Sequence, residues 1–406
     1  MSASTAPGIA LLGGPPVRKT PFAPWPHFTA EEIDAAAGVL RSGKVNYWTG
    51  TQGRDFEKEF AAHVGTGHSI ALANGSVAIE LALRVLGVGP GDEVITTPRT
   101  FLASASSAVM VGARPVFADI DTDSGNITAA SIERVLTPRT RAVIPVHLAG
   151  WPCDLDPILD LCRARNIHLI EDCAQAHGAR YKGRSVGSFG VINAWSFCQD
   201  KIMTTAGEGG MITTDREDLW NAAWSFKDHG KNYDAVYNRQ HKPGFRWLHE
   251  SFGTNWRMTE VQSVVGRHML ERLSEMVTIR RRNASFLIER FRNIAALRVP
   301  VPPAGSEHAY YKFYVYVRPE RLQSGWDRDR VMAAINAEGI PCFSGSCSEV
   351  YLEKAFPSEM RPPQPLPNAH ALGEESLMFL VHPTLTEADM NDTALAVEKV
   401  FSAAFR

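Results

Sequence analysis

The run "SFCQDKIMTTAGEGG", Ser196 to Gly210, holds one lysine, Lys201, among small, polar and glycine residues that could pack little apolar surface. An amine in such a place is either an ordinary solvated lysine or a group kept for carbonyl chemistry, in which a lysine forms a Schiff base. In "LANGSVAIELAL", Asn74, Gly75 and Ser76 stand between an apolar run and a helical one. That is the composition of a helix cap, and equally of an anion seat made from free backbone NH groups and the positive end of a helix dipole. In "LIEDCAQAHG", Glu171 and Asp172 close a very apolar run and are followed by Gln175 and His177. An acid just past a buried strand is costly unless something cationic meets it, so Asp172 reads as a helix cap, a structural ion pair or the partner of a bound cation. His177 taken singly reads as a structural histidine, and Cys198, close to Lys201, as an incidental thiol.

The elements that must position these groups are legible as a rhythm. Between His68 and Thr214, short apolar runs ("SIALAN", "EVITTP", "PVFADI", "AVIPVHLAG", "HLIEDCA", "AWSF", "GMITT") alternate with helical patterns such as "SVAIELALRVLG" and "LDPILDLCRARN". Strands apolar on both faces and separated by helices predict an α/β fold with a mainly parallel sheet covered on both sides. Ligands of such sheets sit beyond the carboxyl ends of the strands, which is where Ser76, Asp172 and Lys201 fall. A phosphate seat, an acid at a neighbouring sheet position and a later lysine are the parts needed to hold pyridoxal phosphate. Its phosphate takes the helix end, its pyridinium nitrogen a carboxylate and its aldehyde the lysine.

From about Pro24 to Phe401 the chain resembles the DegT/StrS family of sugar aminotransferases, pyridoxal phosphate enzymes of the aspartate aminotransferase-like fold type I. The motifs that carry the resemblance are "NGSVAIELAL", "TPRTFLASASSAVMVGARPVFADID", "IPVHLAGWPCDLDPI", "EDCAQAHGA", "WSFCQDKIMTTAGEGG" and "GTNWRMTEVQSVVG". It implies a large domain with a mainly parallel seven-stranded sheet between helices and a smaller C-terminal α+β domain. It also implies that Lys201 forms the Schiff base and Asp172 pairs with the pyridinium nitrogen. Gln175 would face the phenolic oxygen, Gly75, Ser76 and Ser196 would hold the phosphate, and Phe101 would stack on the ring. Asn255 would reach the phosphate of a neighbouring subunit's cofactor, which requires a homodimer with shared active sites. His177 lies inside the motif as an active-site neighbour. The reaction implied is ping-pong transfer of an amino group from glutamate, or glutamine, to a nucleotide-linked keto sugar. Two departures leave the acceptor open: "IPCFSGSCSEVYLEKAF" replaces a His-Tyr-x-Pro-x-His type of segment, and Ser106 stands where an asparagine is common. A keto-cyclitol aminotransferase and an amino-hydroxybenzoate synthase share these motifs. Lys201 argues against the sugar dehydratases, which replace it with histidine, and a non-enzymatic sensor would need a DNA-binding segment that is not evident.

Composition bounds the rest. The chain has 406 residues, a formal net charge of -2, 44% hydrophobic and 21% charged residues, so a soluble globular protein with scattered basic residues and no nucleic-acid footprint is expected. No apolar run approaches a membrane span and the start lacks a signal-peptide pattern, so a cytoplasmic protein is expected. Six cysteines form no metal-spaced cluster. The expected division is an N-terminal arm (1–27), a large cofactor-binding domain (28–265) and a small domain (266–406). In the small domain "YYKFYVYVRP" alternates like a half-exposed strand, with helices predicted at "DRDRVMAAINAEGI" and "EADMNDTALAVEKVFSAAF".

Overall fold

A computed structural model of the protein describes residues 8–241, 244 and 246–406. Its larger part is built on β1 (His68–Leu72), β2 (Glu93–Thr96), β3 (Arg114–Phe117), β4 (Thr140–Ile144), β5 (His168–Leu169), a small hairpin of β6 (Arg180–Tyr181) and β7 (Arg184–Ser185), then β8 (Asn193–Ser196) and β9 (Gly210–Thr214). β3, β2, β4 and β5 pair side by side in parallel, whereas β9 pairs antiparallel with both β8 and β1. Asp172 joins the two groups, bridging Val146 on one side and Ala194 of β8 on the other, both in the parallel sense. The result is one seven-stranded sheet of order β3-β2-β4-β5-β8-β9-β1 in which β9 alone runs against the rest. The expected fold class is the one observed.

Helices α1 (Ala30–Ser42), α2 (Gln52–Val64), α3 (Gly75–Val85), α4 (Ala103–Met110), α5 (Ala129–Glu133), α6 (Leu155–Arg165), α7 (Glu217–Lys227) and α8 (Tyr233–Tyr237) accompany this sheet. Alternate residues of one strand enter different cores, as period-two geometry requires. Ile70 and Leu72 pack with α3 and α7, while Ala71 packs with Phe56 and Phe60 of α2 and with α9 (Glu260–Phe291). The predicted starts are where the sequence places them: Thr29 and Glu32 form a reciprocal capping box on α1, which ends at Gly43.

The remainder is α+β. β10 (Leu297–Arg298), β12 (Phe313–Val317), β14 (Ser376–Phe379) and β13 (Cys342–Phe343) make an antiparallel sheet in that order, while β11 (Ser306–Glu307) pairs back onto β6. α10 (Arg328–Ala337), α12 (Glu387–Ala404) and the end of α9 cover one face, and α11 (Pro367–Glu375) packs on the other. This corrects the half-exposed reading of "YYKFYVYV". Phe313, Val315 and Val317 enter the small-sheet core, but Tyr316 is also buried, against Ala369, Leu372 and residues of the large sheet. α9 runs unbroken through residues 265 and 266, with Val264 in one core and Leu287 in the other. The N-terminal segment is tied down: Ile9 is buried in the small-sheet core, and the Glu338 carboxylate accepts from the amides of Ala10 and Val17 and from Lys399. Among the described residues no helix is long and apolar enough to cross a membrane.

Candidate active site

Three strand ends converge. Asn74 caps α3, its side chain accepting from the Val77 amide at 3.0 Å, so the remaining amides of the first turn point outward from the carboxyl end of β1. A side chain could not be added at Gly75: a Cβ there would stand 2.6 Å from Cβ of Ser196, the last residue of β8. Gly210, first in β9, is held as closely, because its Cβ would stand 2.2 Å from the Asn74 carbonyl oxygen. The two glycines let the helix end press against Ser196, which makes amides and hydroxyl one anion seat.

Asp172 sits in the middle of the sheet, 3% exposed. Its Oδ2 accepts from Ser104 Oγ at 2.7 Å and its Oδ1 from the Ala174 amide at 3.1 Å. Thr100 and Ser104 share a further hydroxyl contact of 2.8 Å. Among the described residues no cation pairs with this carboxylate, and burial raises its proton affinity despite the Ser104 and Ala174 hydrogen bonds. The adjacent Glu171 is the opposite case. Burial works against its charge, but His147 and the amides of Gly187, Phe189 and Gly190 together hold its carboxyl below the usual range, a wholly structural set of partners.

Lys201 lies in the loop between β8 and β9. Its Nζ is 3.3 Å from both Asp200 Oδ1 and the Tyr311 hydroxyl, and Tyr311 in turn donates to Asp200 Oδ2. Burial and the Asp200 charge push the Tyr311 phenol far up, so it stays a neutral donor. The Lys201 carbonyl accepts from the Trp25 indole at 2.9 Å. A cavity of about 630 Å³ brings Gly75, Ser76, Phe101, Asp172, Gln175, Ser196 and Lys201 to one space, Cys198 among their neighbours. Gln175 is fixed by the Ala149 amide, which donates to its Oε1 at 2.7 Å. Phe101, at the mouth, is 71% exposed.

Three of the expected site residues do not line this cavity, which for Asn255 agrees with the expected role at a neighbouring subunit's site. His177 is 1% exposed, set between Trp195 and Phe197 with neither ring nitrogen hydrogen-bonded, and burial first, then the Lys201 charge, push its pKa down to about 3. It is a neutral core ring. Ser106 is half-buried on α4 and does not line the cavity, its turn of helix directing Ser104 inward instead. Asn255 is exposed and outside the cavity of its own chain, on a segment anchored where Arg257 and Lys231 meet the buried Asp228 at 2.7 and 2.9 Å. Sequence reasoning missed Ser104, Tyr311 and Lys312. The available signals were a serine one helical turn beyond Phe101 and a lysine set inside the otherwise aromatic and apolar run "YYKFYVYV".

The parts fit pyridoxal phosphate: an anion seat at one end, an amine at the other, and between them a buried carboxylate lacking a cation. A fold of this order with that site defines a fold type I transferase. The family model described as the DegT/DnrJ/EryC1/StrS aminotransferase family matches residues 26–398, and the chain belongs to that family. The family is pyridoxal phosphate-dependent. The chain is 37% identical over 369 residues to GDP-perosamine synthase of Caulobacter vibrioides, covering 87% of this chain and 92% of that one. An X-ray structure of the aminotransferase from Psychrobacter cryohalolentis superposes with a TM-score of 0.93 at 56% identity, covering 94% and 99%. The crystal structure of S. venezuelae DesV in complex with a ketimine intermediate superposes at 0.83 with 32% identity, covering 93% and 98%.

Proposed function

We propose that this aminotransferase moves an amino group from glutamate or glutamine to a keto sugar, one carried on a nucleotide, for polysaccharide or secondary-metabolite biosynthesis in the cytoplasm. The observation that carries the cofactor chemistry is the uncompensated Asp172 carboxylate facing the same cavity as Lys201 and the N-terminus of α3. Bound pyridoxal phosphate supplies an aldehyde that exchanges amines and a ring that accepts electrons. The chain's own residues do the rest. Asp172 keeps the ring nitrogen protonated, and the amides of Gly75 and Ser76 with the Ser196 hydroxyl hold the phosphate. Phe101 covers one ring face and Gln175 meets the phenolic oxygen. Lys201, once its amine is free, takes a proton from one carbon and returns it to another, with Asp200 and Tyr311 fixing where that amine stands. Asn255 completes the phosphate site of a second copy, so the working unit is a homodimer. The sugar reading draws its support from GDP-perosamine synthase, a relative matched over most of both chains. The division into an arm (1–27), a large domain (28–265) and a small domain (266–406) is proposed with it, Tyr311 being the small domain's contribution to the lysine.

Reduction of the holoenzyme with sodium borohydride should fix the cofactor covalently to Lys201, read by peptide mass mapping, and Lys201→Ala should abolish both the adduct and turnover. An adduct on another residue defeats the assignment. Nucleotide-linked keto sugars and keto cyclitols, offered with glutamate and with glutamine, should give aminated product chiefly from a nucleotide-linked sugar.

A further inference from the structure

The cavity around Lys201 does not end at the cofactor seat. Thr100, Phe101, Gln175, Asp200 and Lys201 also border a second space of about 610 Å³ that runs toward β12 and the segment around Cys347 and Glu353. Lys312 faces that space. It stands immediately before β12, between the buried Tyr311 and Phe313, and is itself half-buried. Lys201 has Asp200 and Tyr311 as partners, and Arg280 reaches the carbonyls of Tyr310 and Tyr311 through Nη1, its buried Nε and Nη2 making no hydrogen bond among the described residues. The Lys312 ammonium has, among the described residues, no hydrogen-bond acceptor and no carboxylate at ion-pair distance. Its one close contact is the face of Tyr311, whose centroid lies 4.8 Å away. Lys201 Nζ is 5.0 Å from that same centroid, so the two nitrogens are within about 10 Å of each other. A half-desolvated cation without an acceptor is a cost to the folded chain, offset when an anion enters.

We propose that Lys312 seats an oxyanion of the substrate whose reacting atom stands at Lys201, either a carboxylate of the amino-acid donor or a phosphate of the nucleotide-linked acceptor. This rests on the reading of the cavity as an aminotransferase site. The spacing suits both sources, since either places an anion a few bonds from the atom that reacts. The electrostatic setting agrees. Burial first lowers the Lys312 pKa, to about 8, with Arg280 and Lys201 acting in the same direction and Asp200 against them; His382 and Glu353 also face this region. An ammonium of that kind binds an anion at neutral pH and gives it up as the solution turns alkaline.

The test is calorimetric titration of the holoenzyme with two unreactive probes: glutarate, a dicarboxylate without the amine, and a nucleoside diphosphate (UDP, GDP and dTDP in turn). Wild type should bind at least one probe. Lys312→Met should weaken that binding by about tenfold to a hundredfold, the loss expected for a hydrogen bond to a charged group. Lys312→Arg should retain it, and between pH 7 and pH 9 the affinity should fall in the wild type but not in Lys312→Arg. Loss for glutarate alone assigns the donor carboxylate, and loss for the nucleotide alone assigns the acceptor phosphate. Equal affinities in wild type and Lys312→Met, failure of Lys312→Arg to retain binding, or no binding of either probe to the wild type overturns the proposal. Because the probes do not turn over, an enzyme inactive toward every acceptor would defeat the aminotransferase reading while leaving this measurement intact.

Discussion

Asp172 holds its proton more tightly than an ordinary carboxyl because burial outweighs the hydrogen bonds from Ser104 and Ala174. A raised folded-state pKa contributes stability that is fully present below the ordinary value of 3.8 and is lost as pH rises through the raised value. At pH 7 to 8, well above the ordinary value, the group therefore works against the cofactor-free fold. Asp172→Asn should melt at a higher temperature than the parent when both are free of cofactor, yet lose turnover by about a hundredfold or more once loaded. A parent-like rate from Asp172→Asn would remove the residue from the reaction. Lys201, Asp172 and the Gly75–Ser76 pair were legible in the chain because each is a polar or charged group at the end of an apolar run, which local chemistry alone marks as unusual. Ser104, Tyr311 and Lys312 were not, because what makes them matter is a partner 68 or 110 positions away or, for Lys312, an ammonium without a hydrogen-bond acceptor among the described residues. His177 was placed in the site by its neighbours in sequence, but the turn after β5 directs it into the core.

The start of α3 is where helix, strand and ligand seat share one set of atoms. Gly75→Ala should force the helix end away from Ser196, costing about 1–3 kcal/mol in urea denaturation of the cofactor-free protein. It should also weaken cofactor affinity, read by fluorescence titration, more than the stability loss alone accounts for, because the amides would no longer share a target with the Ser196 hydroxyl. Most elements were readable in advance from apolar runs, Thr and Asn caps and Gly ends. The parallel sense of the sheet was readable too, since strands separated by helices cross over. Two features were not. The reversed direction of β9 goes with a loop of small residues that holds no helix, so that β8 and β9 pair as a wide hairpin and not across a helical crossover. The burial of both faces of β12 depends on α11 and the large sheet, which no local period encodes.

Asn255 stands outside the cavity of its own chain, and the same segment carries Trp247 and Phe252, which are 87% and 99% exposed. Apolar rings so bare, on the segment that leads to Asn255, suit the proposed contact with a second copy. If the proposed homodimer is the working unit, Lys201→Ala and Asn255→Ala proteins should each be impaired. Mixing them under conditions that exchange subunits should recover activity, because the hybrid holds one site with an intact lysine and an intact partner asparagine. No recovery would mean that each chain works alone. Trp25 closes the molecule in another way. Its indole reaches the Lys201 carbonyl, its ring lies under the Arg280 guanidinium of α9 and it stacks on His382 beyond β14. One fluorophore thus touches the lysine loop, the long helix and the small sheet at once. Trp25 is thereby placed so that its share of the emission from nine tryptophans, isolated by difference against Trp25→Phe, should change with what is attached to the lysine.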